Sequence, residues 1–470
     1  MNLESYYKMK PFTRYIQQLF EKYNAKLPFA DNPQIQKIRS EASKVFFQKE
    51  LPSKKLENWR HQPIDELVED KYDIQLQPNP YRPVDEIFKC KVHNIDTNMF
   101  TFLNGWYIHK NNPLTIFPEG IIVGSLNAAI ERFPELVFPY LAKQDLEQSD
   151  SMIAFNEMFF NDGIFIYIPD NIIVSKPMQI IYLVDSDQNL MIHNRNLIIV
   201  GKNSSLSLVH CDDSLNFKKT LINNVTEVYL SEHATFNHYK MENKDADSLL
   251  VNHLFIEQKT SSKFFSNVIT FNAGYVRNMI KVDLIEPFAD AKLYGLYLVD
   301  KKQYVDNQIY VNHSATDCTS YQLYKGIADD EAAANFNGHI LVKKDSQRTV
   351  AFQTNRNIAL TDNAKITTKP FLEIYADDVQ CSHGATIGQL DENAMFYLRS
   401  RGICERSARM LLMYAFANEV VNFIEITSLQ ERYTDMVKKR LSGELTVCDQ
   451  CVLHCSDEKD FSFEIDISKI

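Results

Sequence analysis

A chain of 470 residues is longer than one hydrophobic core usually supports, so two or three regions are expected. Its 45% hydrophobic and 12% aromatic residues describe a folded protein, and a net charge of −11 argues against a broad nucleic-acid surface, which needs a basic stripe. The start, Met1-Asn2-Leu3-Glu4-Ser5-Tyr6, lacks the apolar core of a signal peptide, and no apolar run approaches the ~20 residues that span a bilayer. A cytoplasmic location without membrane contact is therefore expected, with the eight cysteines as free thiols or ligands and not a disulfide framework.

Residues 1–95 read as mainly helical. Tyr15, Leu19 and Phe20, then Ile35, Ile38, Ala42 and Phe46, recur at helical spacing, with Pro28 and Pro33 as punctuation. A polar loop from Pro52 closes on Glu57-Asn58-Trp59, where the tryptophan reads as a packing anchor. Residues 96–390 read as a β core. From about 165 to 380, short Ile-, Val-, Tyr- and Phe-rich stretches follow one another, and Ile280-Lys281-Val282-Asp283-Leu284 alternates as a half-buried strand does. No helical stripe separates them, which excludes a doubly wound α/β sheet. Hairpin signals are scarce, Asn337-Gly338 being the exception, and this tilts the choice among sandwich, barrel and solenoid toward the solenoid. No strict repeat period is visible.

Residues 391–470 read as helical again. Asp391 suits an N-cap, and Ala408, Leu411, Leu412, Ala415, Phe416, Val420 and Phe423 mark one apolar face. The segment Leu429–Leu441, with Lys438, Lys439 and Arg440 near its end, reads as a mostly solvated helix. These helices could cap the open end of a solenoid or offer a platform to a partner, and the pattern does not choose. No G-x-x-x-x-G-K-[ST] or G-x-G-x-x-G occurs, so no P-loop or Rossmann turn is expected.

At the strand-to-helix boundary stands Cys381-Ser382-His383-Gly384-Ala385-Thr386. In an extended segment residues i and i+2 share a face, so Cys381 and His383 stand side by side. Two ligands do not complete a tetrahedral site, and the others would come from elsewhere. The tail holds Cys448, Cys451, His454 and Cys455, but four ligands within eight residues is unlike the usual two-segment zinc site. Cys90, Cys211, Cys318 and Cys404 have no neighbouring ligand pattern and read as core thiols. His210 and Cys211 are adjacent, so in a strand they face opposite ways and form no site.

The run from Cys381 through Gly388-Gln389-Leu390-Asp391 to Phe396-Tyr397-Leu398-Arg399-Ser400-Arg401-Gly402 resembles the SufB/SufD family of iron–sulfur cluster assembly proteins. Gln353-Thr354-Asn355-Arg356-Asn357, Pro370-Phe371-Leu372-Glu373-Ile374 and Glu57-Asn58-Trp59 are similar to further family motifs, in the same order. The likeness is strongest to the SufD branch, because Gly384 stands where SufB-like chains carry a glutamate. The resemblance implies a mainly β fold, a right-handed parallel β-helix core flanked by N-terminal and C-terminal α-helical regions. It implies a non-enzymatic scaffold subunit that pairs with a SufB-like paralogue and, through its C-terminal helices, with a SufC-like ATPase. It further implies that His383, with Cys381 beside it, holds transient iron, sulfide or a nascent cluster shared with that partner, and no stably bound cofactor. A homodimer in isolation stays open. So do two other functions, a SufB-like scaffold and a β-solenoid enzyme acting on polysaccharides, although the latter would want a secretion signal and a carboxylate or basic cluster along one face. On this view, deleting the residues after 390 should remove ATPase binding and leave the β core folded.

Overall fold

The computed structural model describes residues 9–68, 71–81, 96–215, 218–272 and 274–442. Two sheets of ten strands each run along the molecule. Strands β5 (Ile164–Ile168) to β20 (Val379–Gly388) alternate between them, β6, β8 and onward to β20 in the even sheet and β5, β7 and onward to β19 in the odd sheet. Each of these strands pairs in parallel with the strand two places away, as in β8–β10–β12 and β18–β20. This is a β-solenoid whose coils each contribute one strand to either sheet. At the starting end the parallel order breaks, since β1 (Asn98–Leu103) meets β2 (Trp106–Tyr107) antiparallel and β3 (Leu114–Ile116) meets β4 (Ile122–Ser125) antiparallel.

The period that residue patterns leave hidden is set by the register. Thr235 pairs with Ser205 and Lys263, Asp290 with Lys263 and Thr319, so the step between coils drifts from coil to coil. A row of inward asparagines marks each step: Asn194, Asn224, Asn252, Asn278 and Asn307 bond in sequence, with separations of 30, 28, 26 and 29 residues. One corner is equally regular. Asn203, His233, Ser261, Phe288, Asp317 and Arg348 all adopt left-handed backbone, with φ between 54° and 64°. Each donates its N–H to a carbonyl of the next coil, from Asn203 to Glu232 up to Arg348 to Asp378. Asparagine, aspartate and histidine tolerate this conformation better than most residues, so these turns need few glycines.

The inner core lies between the sheets, where Leu206, Phe236, Phe264, Leu293 and Val305 meet. Both outer faces of the coils before the last are covered by helices. On the odd sheet lie α1 (Pro11–Tyr23), α2 (Pro33–Lys49) and the residues around Trp59, joined after the short helices α3 (Leu126–Arg132) and α4 (Pro134–Val137) by α5 (Ser151–Phe159). Trp59 is the anchor its type predicts: it is buried, its Nε1 donates to Asp150 Oδ2 at 2.6 Å, and the Arg277 guanidinium lies 3.8 Å from its ring centroid. Proline at the first position starts α1 and α2, and the Asn32 side chain caps α2.

On the even sheet lie α7 (Glu405–Val421) and α8 (Thr427–Ser442), with α6 (Glu392–Ser400) before them. Met413, Ala417, Val420, Tyr433 and Met436 bury Ile269, Phe271, Tyr294 and Leu296. The helices therefore lie along the side of the solenoid and not across its end. Two expectations change. Helix α8 is not mostly solvated, because Arg440 is buried, donating to Phe271 O at 2.9 Å and Asp300 Oδ2 at 2.7 Å. A deletion after residue 390 would also strip an apolar cover from β12, β14 and β16, so it cannot leave the β core undisturbed. Among the described residues no helix is long and apolar enough to cross a membrane.

Candidate functional site

Among the described residues the final coil, β19 (Lys365–Ile374) and β20, has a neighbour on one side only. In β18 (Thr349–Ala359) the residues Ala351, Gln353, Asn355 and Asn357 are buried while Phe352 and Arg356 are exposed, so the former face the lumen. Cys381 pairs with Ala351 and His383 with Gln353, which puts both on the inner face of β20. The expected pair thus shares one face at the open mouth of the solenoid.

Their environments differ. Cys381 is half-buried against the small cluster of Ile340, Val342, Ala351 and Leu372, and burial pushes its thiol up. A metal would have to displace that proton, since the thiolate is the ligand form. His383 is exposed. A Cβ on neighbouring Gly384 would meet nothing within 4 Å, so packing does not dictate glycine where SufB-like chains have glutamate.

Beneath the pair lies a buried polar layer that explains one of the sequence motifs. Gln353, Asn355 and Asn357 alternate inward. Gln353 Nε2 donates to Gln322 Oε1 at 3.0 Å, Asn355 Nδ2 to Tyr324 O at 3.1 Å, and Asn357 Nδ2 to Asn355 Oδ1 at 2.6 Å. The Tyr297 hydroxyl donates to Asn357 Oδ1, and Asn357 Nδ2 reaches Thr386 O of β20 at 3.3 Å. The rim is apolar: Phe352, Phe371, Ile374, Tyr375 and Ile387 are exposed around the last coil. Helix α6 follows directly, capped by Asp391 as its type predicts. It buries no residue and leaves Phe396 75% exposed.

The other candidates separate. Cys211 packs in the outer cluster of the even sheet while His210 faces the lumen, opposite sides as expected. Cys211 and Cys318 are buried thiols, but Cys404 is exposed and corrects the core assignment. It precedes α7 as its N-cap, with its Sγ 3.2 Å from Ser407 Oγ, a hydrogen bond that lowers its thiol pKa. Cys90 and the tail residues Cys448, Cys451, His454 and Cys455 lie outside the described residues. Among the described residues no three His, Cys, Asp or Glu side chains are grouped to hold a metal.

Sequence reasoning missed the charged lumen. His210, His238 and Lys240 line a cavity of about 30 Å³, room for about one water, and Lys240 pairs with the buried Asp212 and Glu242 beside it. Burial opposes ionisation there, yet the Lys240 ammonium 3.2 Å away holds Asp212 well below the usual carboxylate range. The strand alternation His210-x-Asp212 and His238-x-Lys240-x-Glu242 was the signal available.

Comparison with known proteins decides the family. The model described as SUF system FeS cluster assembly, SufBD core domain, matches residues 182–416, and that of the SufBD protein N-terminal region matches residues 9–180. The chain belongs to the SufB/SufD family. It is 28% identical over 407 residues to an iron–sulfur cluster assembly SufBD family protein of Synechocystis, covering 83% of this chain and 87% of the relative. It is 25% identical to the iron–sulfur cluster assembly protein SufD of Escherichia coli, over 84% of this chain and 90% of that one. A chloroplastic protein of Arabidopsis thaliana, ABCI7, is 24% identical over 91% of this chain and 90% of its own length. The boundary between the two SufBD models falls inside β6 (Met178–Val184), so they divide one continuous solenoid and not two bodies.

Proposed function

We propose that this chain, whose family places it in the SUF iron–sulfur assembly system, acts there as a non-enzymatic scaffold subunit. Its open solenoid end pairs with a SufB-like paralogue, and its C-terminal helices receive a SufC-like ATPase. The observation that carries this reading is the last coil: two strand edges without neighbours among the described residues, an apolar rim, and Cys381 and His383 facing the mouth. Unpaired edges and exposed apolar residues are liabilities that a partner relieves. Neutral imidazole and thiolate are competent iron ligands, and an incomplete set holds its cargo weakly enough to release it. The missing ligands would come from the paralogue, with iron and sulfide as cargo and no resident cofactor.

The C-terminal helices supply the second contact. Helix α6 offers Phe396 and Tyr397 to solvent, while α7 is tied to the solenoid where Lys325 of β16 (Thr319–Ala328) donates to Phe416 O at 2.9 Å and pairs with Glu419. Arg356 of β18, next to β20, lies 3.9 Å from the same Glu419. Movement of docked helices would therefore reach the strand beside His383. The SufB-like alternative is weakened by Gly384.

Co-expression with SufB-type and SufC-type partners, pull-down and anaerobic cluster reconstitution test this. Binding that survives His383→Ala while assembly is lost would support it. A chain that captures neither partner would sink it. Phe396→Ser combined with Tyr397→Ser is a cleaner probe of ATPase docking than truncation, because α6 buries no residue.

A further inference from the structure

The Gln353 side chain spans the lumen one strand below His383. It is 1% exposed, and a Cβ on Gly338 of the opposite sheet would lie 1.4 Å from its Nε2, so only glycine leaves room for it. Its Nε2 is fixed on Gln322 Oε1 at 3.0 Å, on the side of the preceding coil. Among the described residues its Oε1 is buried without a hydrogen-bond partner. The two ends of a carboxamide diverge, so anchoring the nitrogen toward β16 turns the oxygen toward β20. The residue in register there, on the same inner face, is His383. Adjacent strands lie about 4.8 Å apart, within reach of an imidazole N–H. Buried carbonyl oxygens are rarely left unpaired; Gln322 Nε2 is also buried without a partner, but on the β16 side that the Gln353 nitrogen already faces, and on the β20 side the donor in register is His383.

We propose that Gln353 is the positioning residue of His383: its Oε1 accepts one imidazole N–H, which fixes the tautomer and presents the other nitrogen to cargo at the mouth. Gly338 makes the slot, Gln322 holds the amide, and Gln353 aims the ring. Histidine ligands usually depend on such an outer partner, whose loss costs 10–100-fold in metal affinity or activity. The functional part of this inference rests on His383 acting as a ligand; the hydrogen bond does not.

The test is the tautomer of His383 in the full chain labelled with ¹⁵N-histidine, read from two-bond ¹⁵N–¹H spectra and assigned by the signal missing in His383→Ala. The wild type should show one tautomer, Gln353→Leu a mixture, and Gln353→Glu, which still accepts, the wild-type state. Should Gln353→Leu fail to fold, Gln322→Leu frees the amide and should likewise give a mixture. The same tautomer population in wild type and Gln353→Leu overturns the proposal. If the tautomer follows Gln353 while His383→Ala assembles clusters normally, the hydrogen bond stands and the ligand role falls. In reconstitution with the partners, Gln353→Leu should lose about 10–100-fold in activity.

Discussion

The middle coils and the last coil are built from the same strand grammar and behave as different materials. In β9 (Thr220–Leu230) or β11 (Ser248–Gln258) nearly every residue is buried, because sheet neighbours lie on both sides and helices cover the outer face. In β20 the same alternation leaves all but two residues exposed. Burial here is a property of position in the stack, and residues at the end of a stack are free to do chemistry.

Four substitutions probe that contrast, ordered by their expected effect on stability. Gly326→Val should be the most damaging, since a Cβ there would sit 1.9 Å from the Tyr297 ring. A loss of about 3 kcal/mol in urea denaturation is expected, from overpacking with no room to relax. A loss below about 0.5 kcal/mol would mean that the late coils are as loose as the last one.

His193 tests the middle in the other direction. It is buried against Phe155 and Phe159 with both ring nitrogens unpartnered, and burial lowers its pKa to about 3. A folded pKa below the ordinary 6.5 gives stability that is present above pH 6.5 and lost as pH falls toward about 3. His193→Leu should therefore gain about 1 kcal/mol at neutral pH by removing an unsatisfied polar group. The advantage should widen between pH 6.5 and 4, and a constant difference across that range would refute the account.

Phe288 is a bulky residue in the left-handed corner, with φ 64°, and it is exposed. Phe288→Asn should raise stability by roughly 0.5–1 kcal/mol, because asparagine tolerates that backbone. A loss on the same scale would show that the ring is anchored. Smallest in stability should be His383→Ala, within about 0.5 kcal/mol of wild type by thermal melting, as for exposed sites generally. If it instead unfolds the protein, the last coil is structural and the comparison between end and middle collapses.

Much of this was legible in the residues. Alternation found the strands, Asp391 found its cap, and the Cys381–His383 spacing placed both side chains on one face. The coil repeat was present too, as the recurring pattern Ile192-x-Asn194, Ile222-x-Asn224, Leu250-x-Asn252, Val276-x-Asn278 and Val305-x-Asn307. It stayed hidden because corner lengths vary and blur any fixed period. Helices α3 and α4 are too short to show periodicity, and every residue of α5 is buried, so it carries no polar face to betray it. Cys404 was misjudged because burial statistics describe residue types, whereas its exposure follows from its place ahead of a helix. Arg440 was misjudged because its partners, Phe271 and Asp300, lie more than a hundred residues away in sequence.

The two ends of the solenoid are unequal, and that asymmetry sets an arithmetic of assembly. At the start, the short antiparallel strands β2 and β3 interrupt the parallel stack and leave little edge to extend. At the finish, the ladder of corner hydrogen bonds among the described residues stops at Asp378. If the finish is the docking face proposed above, such a rod has one live face and a valence of one. Two such rods joined at their live faces consume both, so growth halts at a pair where a rod live at both ends would polymerise into a fibre.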